Sequence, residues 1–285
     1  MPAKTLVNRH AAARDDIGDL ITRRPVPGST LETLNPFLFL NHHGPQTYAP
    51  HNRGLPFGPH PHRGFETVTF MIEGELAHHD TGGHESVIGE GGVQWMTAGS
   101  GLVHAEVSPA GFKEHGGPLE ILQLWLNLPA RLKLTAPRYT GLQADAIPVV
   151  PGDDGRTQVQ LIAGQWQGVT GPFESLTGVF MSLVRLKRGG TVSFAGVGGR
   201  VPFLYVIRGA VRIGDELVSR FTLAELSEAG DSVEWSATED ALVLFGHADP
   251  IDEPVVSYGP FVMNTREEIS QAVADYQAGK FGAIG

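Results

Sequence analysis

Two stretches of this chain repeat one local pattern, and that repetition limits the folds open to it more than any other feature. FMIEGEL, Phe70 to Leu76, is a β-type run broken by Gly74, and GGVQW follows it, ending at Trp95. YVIRGAV, Tyr205 to Val211, is broken by Gly209, and GDSVEW follows, ending at Trp235. The glycines lie 135 residues apart and the tryptophans 140, a difference that one loop insertion absorbs. Self-similarity at this spacing points to a duplicated domain. Both copies consist of short runs of about 5 to 8 residues bounded by Gly, Pro, Asn or Asp, the pattern of an all-β sandwich or barrel. Leu128 to Pro151 holds four prolines and no clear periodicity. It reads as the crossing between an N-terminal domain, 1–135, and a C-terminal domain, 136–285.

The 285 residues include no cysteine, which removes disulfides, thiol nucleophiles and thiolate metal sites. Any metal has to be held by His, Asp or Glu, and there are twelve His. With 21 basic against 31 acidic residues, a net charge of -10 offers no general field for a phosphate backbone. Direct nucleic-acid binding is not expected. No run approaches the roughly 18 apolar residues of a membrane span, and the first twenty residues lack the apolar block of a secretory signal. The expectation is a soluble cytoplasmic protein.

His60-Pro61-His62 stands just ahead of the run Glu66 to Ile72, and His104-Ala105-Glu106 lies within Leu102 to Val107. Residues two apart in extended chain share a face. If the two segments are neighbours, three imidazoles and one carboxylate converge, a set suited to Fe, Mn, Co, Ni, Cu or Zn. A lone loop histidine is more often solvated or hydrogen-bonded, but two same-face pairs in one Cys-free β-domain favour a metal. The duplication supplies a control. A shift of 135 carries His60 and His62 onto Ala195 and Val197, and a shift of 140 carries His104 and Glu106 onto Leu244 and Gly246. The second domain is therefore expected to hold no metal, with His247 structural or exposed.

The run PHPHRGFETVTFMIEGELAHHDTGG, followed by VIGEGGVQWMTAGSGLVHAE, resembles the pirin family, a branch of the bicupin superfamily. NPFLFLNHHGP, LQLWLNLPA, IAGQWQGV and YGPFVMNTREEISQA share the resemblance, which runs from about residue 20 to the C-terminus. Asn35 and Asn41 stand where family members often carry Asp. The resemblance implies two tandem cupin-type β-barrels with one mononuclear divalent metal, usually iron as Fe(II), in the N-terminal barrel only. The family's ligands fall on His60, His62, His104 and Glu106; Zn, Ni, Mn, Co and Cu are the other candidates. It also implies a quercetin 2,3-dioxygenase that opens a flavonol with O2. Glu106, the one acidic side chain in the ligand set, is the expected catalytic base. The alternative it implies is a metal-dependent, redox-sensing interaction protein that regulates transcription or a metabolic enzyme through a protein partner.

Other residues carry weaker expectations. Glu66 has the parity of His60 and His62 but is read as supporting rather than ligating. Of the adjacent His78 and His79 at most one points inward. His42, His43 and His51 are expected in a Pro/Gly-rich loop at the pocket mouth, and Trp95, Met96 and Trp125 in the core. Thr265 with Glu268 forms a capping-box signature, and Ile269, Ala272, Val273 and Tyr276 follow at helical spacing, so a short C-terminal helix is expected to pack on a barrel.

Overall fold

A computed structural model describes residues 2–152 and 154–284. The chain divides into two compact units, each discontinuous in sequence. One comprises 14–23, 37–144 and 251–285, and the other 1–13, 24–36 and 145–250. They are called here the N-terminal and C-terminal barrels. The boundary expected at residue 135 therefore needs correction. The main crossing falls at 144/145, inside the proline-rich stretch, but each barrel also takes a segment from the far end of the chain. Composition registers a linker; it carries no signal for an exchanged strand.

The N-terminal barrel contains strands β1 (Phe37–Tyr48), β2 (Phe57–His62), β3 (Phe65–Glu73), β4 (Glu75–Asp80), β5 (Glu85–Gly89), β6 (Val93–Thr97), β7 (Leu102–Val107), β8 (Gly117–Asn127) and β9 (Arg138–Leu142). One sheet of seven strands includes the order β9-β6-β3-β8-β1, and a second sheet runs β2-β7-β4-β5. The residues of β3 and β6 favour this: β-branched and aromatic side chains dominate both, and both strands are buried on both faces. Register sets Phe39, Trp125, Thr67, Met96 and Tyr139 side by side on one face of the larger sheet. The next row on that face is Asn41, Gln123, Thr69 and Gln94.

The C-terminal barrel repeats the plan with β10 (Thr157–Ala163), β11 (Phe180–Leu186), β12 (Thr191–Ala195), β13 (Val201–Arg208), β14 (Ala210–Ile213), β15 (Glu216–Ser219), β16 (Thr222–Leu226), β17 (Ser232–Ala237) and β18 (Ala241–Ala248). Its sheets include β16-β13-β18-β11-β10 and β12-β17-β14-β15. The strand Leu6–Ala11 pairs with β16, the edge that β9 occupies beside β6 in the other barrel. Gly74 (φ +87°) and Gly209 (φ +73°) make the same turn in the two copies. Matching the sheet orders corrects half of the sequence alignment. Trp95 lies on β6, in the larger sheet, whereas Trp235 lies on β17, in the smaller one, so the two are not equivalent. The counterparts of β2 and β7 are β12 and β17, whose buried residues Val192, Phe194, Val233 and Trp235 join the apolar core around Phe180 and Phe245. Leu244 and Gly246 belong to β18, the counterpart of β8.

The C-terminal helix spans Arg266–Gln277 with both halves of the Thr265/Glu268 capping box formed. Ile269 and Ala272 pack with Phe261, Met263, Phe281 and Val103 of β7, all within the N-terminal barrel. Among the described residues, no helix is long and apolar enough to cross a membrane.

Two outcomes follow from these packings. A Cβ on Gly209 would meet the Asp240 carbonyl oxygen at 2.2 Å in a left-handed backbone, so Gly209→Ala is expected to destabilise the fold by about 2 kcal/mol or more in urea unfolding. His247 stacks on Phe180 at 4.8 Å and accepts from Arg200 Nε. Burial, with the Arg200 charge, lowers its pKa to about 3 from an ordinary value near 6.5. The unfolded chain thus binds a proton first as pH falls, and stability present above about pH 6.5 is lost progressively toward pH 3. His247→Phe should flatten that acid limb of the unfolding midpoint; an unaltered slope refutes the assignment.

Candidate metal centre

β2 and β7 pair antiparallel with His104 directly opposite His60 and Leu102 opposite His62. This register brings the three imidazoles together: ring centroids are 4.3 Å apart for His60–His104, 4.8 Å for His60–His62 and 5.0 Å for His62–His104. One ring nitrogen from each lies within 4.8 Å of the other two. His60 Nδ1 donates to the Gly58 carbonyl (2.8 Å) and His62 Nδ1 to the Pro260 carbonyl (3.3 Å). A carbonyl accepts only, so each contact places a proton on Nδ1 and gives Nε2 the role of metal donor in the neutral ring. Both nitrogens of His104 are buried without a hydrogen-bond partner among the described residues. Burial, together with neighbouring His60, lowers the His62 pKa to about 3, and burial beside the other rings holds His104 well below its ordinary value. Burial thus favours neutral, metal-ready rings at His62 and His104. An orphaned buried imidazole between two oriented ones is what a divalent ion would satisfy.

Glu106 stands outside that three-residue cluster. It shares the face of His104 on β7, but the β2/β7 ladder shifts between the two: His104 faces His60, and Glu106 faces Phe57. The extra residue on β2 is a bulge, which changes what stands beside Glu106. Its carboxylate is instead held by the polar row of the larger sheet. Thr69 Oγ1 (3.0 Å) and Gln94 Nε2 donate to Oε1, and Gln123 Nε2 donates to Oε2. Gln94 in turn accepts from Tyr139 Oη at 3.1 Å. These supporting residues are absent from the sequence reading. The available signal is the occurrence of Thr69, Gln94 and Gln123 at otherwise apolar strand positions.

The remaining histidines and carboxylates sort clearly. Glu66 sits on the opposite face of β3 from Thr67 and Thr69. Gly64, at φ +87°, resets the alternation between β2 and β3, so parity counted across it fails. Its Oε1 accepts from Thr97 Oγ1 at 2.6 Å, and burial raises its pKa to about 7. His78 points inward and His79 outward: His78 is fully buried, donates from Nε2 to Asp80 (3.0 Å), stacks on Tyr139 at 4.1 Å and lies 5.4 Å from the His104 ring. His42 and His43 belong to strand β1 rather than to a loop. His42 pairs with Glu120 at 2.9 Å in full burial, and His43 with Thr22. Trp95 and Met96 are core. Trp125 is only partly buried and joins an aromatic wall, 4.6 Å from Phe39, 4.5 Å from Phe65 and 5.2 Å from His62.

Two cupin-type barrels with a three-histidine centre in one of them define a bicupin with a candidate metal site. The comparisons are specific: the family Pirin matches residues 19–126, and the Pirin C-terminal cupin domain matches 181–282. The chain belongs to the pirin family. A pirin-like protein of Caulobacter vibrioides is 41% identical over 252 residues, 88% of each chain. The crystal structure of a quercetin 2,3-dioxygenase from Acinetobacter baumannii superposes with a TM-score of 0.92 at 34% identity, covering 99% of this chain and 100% of that one. A bacterial pirin from Escherichia coli, solved in complex with nickel(II), shares the fold with a TM-score of 0.68 at 20% identity, covering 86% of this chain and 99% of that one.

The cluster gives a direct measurement. His104→Ala or His62→Ala should reduce metal content beyond the roughly 10- to 100-fold loss of affinity caused by losing an outer-shell partner, while circular dichroism stays near native. Elemental analysis of protein purified without added metal is the readout. Two ions per chain, or full occupancy in both variants, would remove the cluster from consideration.

Proposed function

We propose that the protein is a metal-dependent dioxygenase opening flavonols such as quercetin with O2, with His60, His62 and His104 holding one divalent ion and Glu106 as fourth ligand and base. The observation that carries this reading is His104, whose two buried nitrogens have no hydrogen-bond partner among the described residues and which lies beside two imidazoles oriented by backbone carbonyls. The donor set fits Fe(II), and the nickel of the Escherichia coli relative makes Ni(II) the first competitor. When bound, the ion supplies Lewis-acid stabilisation of an enolate oxygen and, if iron, electron exchange with dioxygen.

The protein's own groups supply the rest. Phe39 and Trp125, both partly exposed and stacked at 4.6 Å, offer an apolar aromatic face near His62, backed by the buried ring of Phe65, and suit an aromatic substrate. Glu106 is the one carboxylate on the His104 face of β7, and deprotonating a flavonol 3-hydroxyl requires an acceptor within hydrogen-bond reach. Gln94, Thr69 and Gln123 hold it ready; releasing one of their donors frees an oxygen to take that proton.

Glu106→Gln keeps the size and one neutral oxygen while removing the base. At matched metal occupancy, flavonol decay under air is expected to fall about a hundredfold or more. Equal rates would take Glu106 out of the chemistry. No decay in the metal-loaded wild type would overturn the enzyme reading and favour a metal-dependent partner of other proteins.

A further inference from the structure

The C-terminal barrel carries a cationic groove that the metal chemistry does not use. At one end of its larger sheet, Gln158 of β10 pairs with Arg185 of β11, Arg185 with Leu242 of β18, and Leu242 with Arg208 of β13. Arg156 and Lys187 close the same hollow, which has a volume of about 550 Å³. Four cations thus line one groove of a chain whose net charge is -10. Among the described residues its single carboxylate, Asp240, is already engaged by Lys187 Nζ (2.8 Å) and by the Arg188 backbone N–H (2.9 Å). Arg185 is exposed and its side chain has no hydrogen-bond or ion-pair partner among the described residues. Among the described residues, Arg156 donates a side-chain hydrogen bond to the Arg188 carbonyl alone, at 3.5 Å.

The first barrel shows that the fold does not require this charge. Glu73 precedes the turn at Gly74 as Arg208 precedes the turn at Gly209, and Glu73 faces Glu120 of β8 where Arg208 faces Leu242. The same place in the same architecture is acidic in one copy and basic in the other. Clustered like charges repel one another, a repulsion that a bound anion would relieve.

We propose that this groove binds the phosphate or diphosphate group of a small soluble molecule. Guanidinium forks match phosphate oxygens two at a time, and Lys187, paired with Asp240, borders the site. Leu242, almost fully buried between Arg185 and Arg208, closes the base of the groove. A concave site of this volume fits one small molecule. Four cations fall short of the roughly 6 to 10 phosphate contacts of a typical duplex-binding surface.

The test is calorimetric titration of the full-length, metal-loaded protein with inorganic pyrophosphate at low ionic strength. Saturable binding at one site, weakening as salt rises, is expected. Arg185→Gln should raise the dissociation constant roughly tenfold or more, the scale of one lost charge-assisted contact. Arg185→Gln with Arg208→Gln should abolish binding. Arg131→Gln, which removes one exposed charge from the other barrel, should leave it unchanged. Thermal melting checks that each variant is folded. Absent saturation, or equal affinity in the double variant, would overturn the proposal. So would tighter binding to duplex DNA or to phosphatidic acid vesicles than to pyrophosphate.

Discussion

The register of β2 against β7 is the constraint on which the centre rests. With His104 opposite His60, three imidazoles occupy one buried point, and a slip of one residue would turn each ligand pair to the wrong face. The bulge that follows separates Glu106 from the histidines without turning it outward, because the pairing of β7 with β4 continues regularly through His104, Ala105 and Glu106. One ladder is interrupted and the other is not. The result is a carboxylate adjacent to the cluster but anchored in the opposite sheet.

Much of this was legible in the sequence, for identifiable reasons. Alternation in short strands depends on backbone geometry alone, so His60/His62 and His104/Glu106 were recognisable as same-face pairs. The helix Arg266–Gln277 was legible because its cap and its apolar spacing are both local. What escaped was non-local. Gly64 breaks the parity that seemed to link Glu66 to His62, and no count of residues reveals a positive φ. The two tryptophans aligned by motif sit in different sheets, so the positions assigned as ligand-equivalent on β18 were wrong, although the C-terminal barrel does have an apolar interior in place of ligands. Gln94, Thr69 and Gln123 acquire meaning only when the register sets them in one row facing Glu106.

The duplicated architecture has been filled in opposite ways. In one copy, the inward positions of the smaller sheet carry histidines and a carboxylate, with amides and a hydroxyl facing them. In the other, Phe194, Val233 and Trp235 join Phe180 and Phe245 in an apolar core. Polar groups placed inside a barrel need partners, and the first copy supplies them from the facing sheet. The second, free of that demand, is packed for stability and carries its charges on the outer rim.

The segment 251–285 holds the loop that follows the first histidine pair. Pro260 orients His62, the Val262 and Gly64 carbonyls share the buried ammonium of Lys133 (3.1 and 2.9 Å), and Asp275 pairs with Arg63 at 2.8 Å. These residues follow the entire C-terminal barrel in the chain. A ribosome therefore delivers the strands of the metal-bearing barrel first and the residues that complete it last. During translation the histidine cluster has to wait, unfinished, while a whole second domain is made, and it becomes a fully oriented site only after that domain's sequence has emerged.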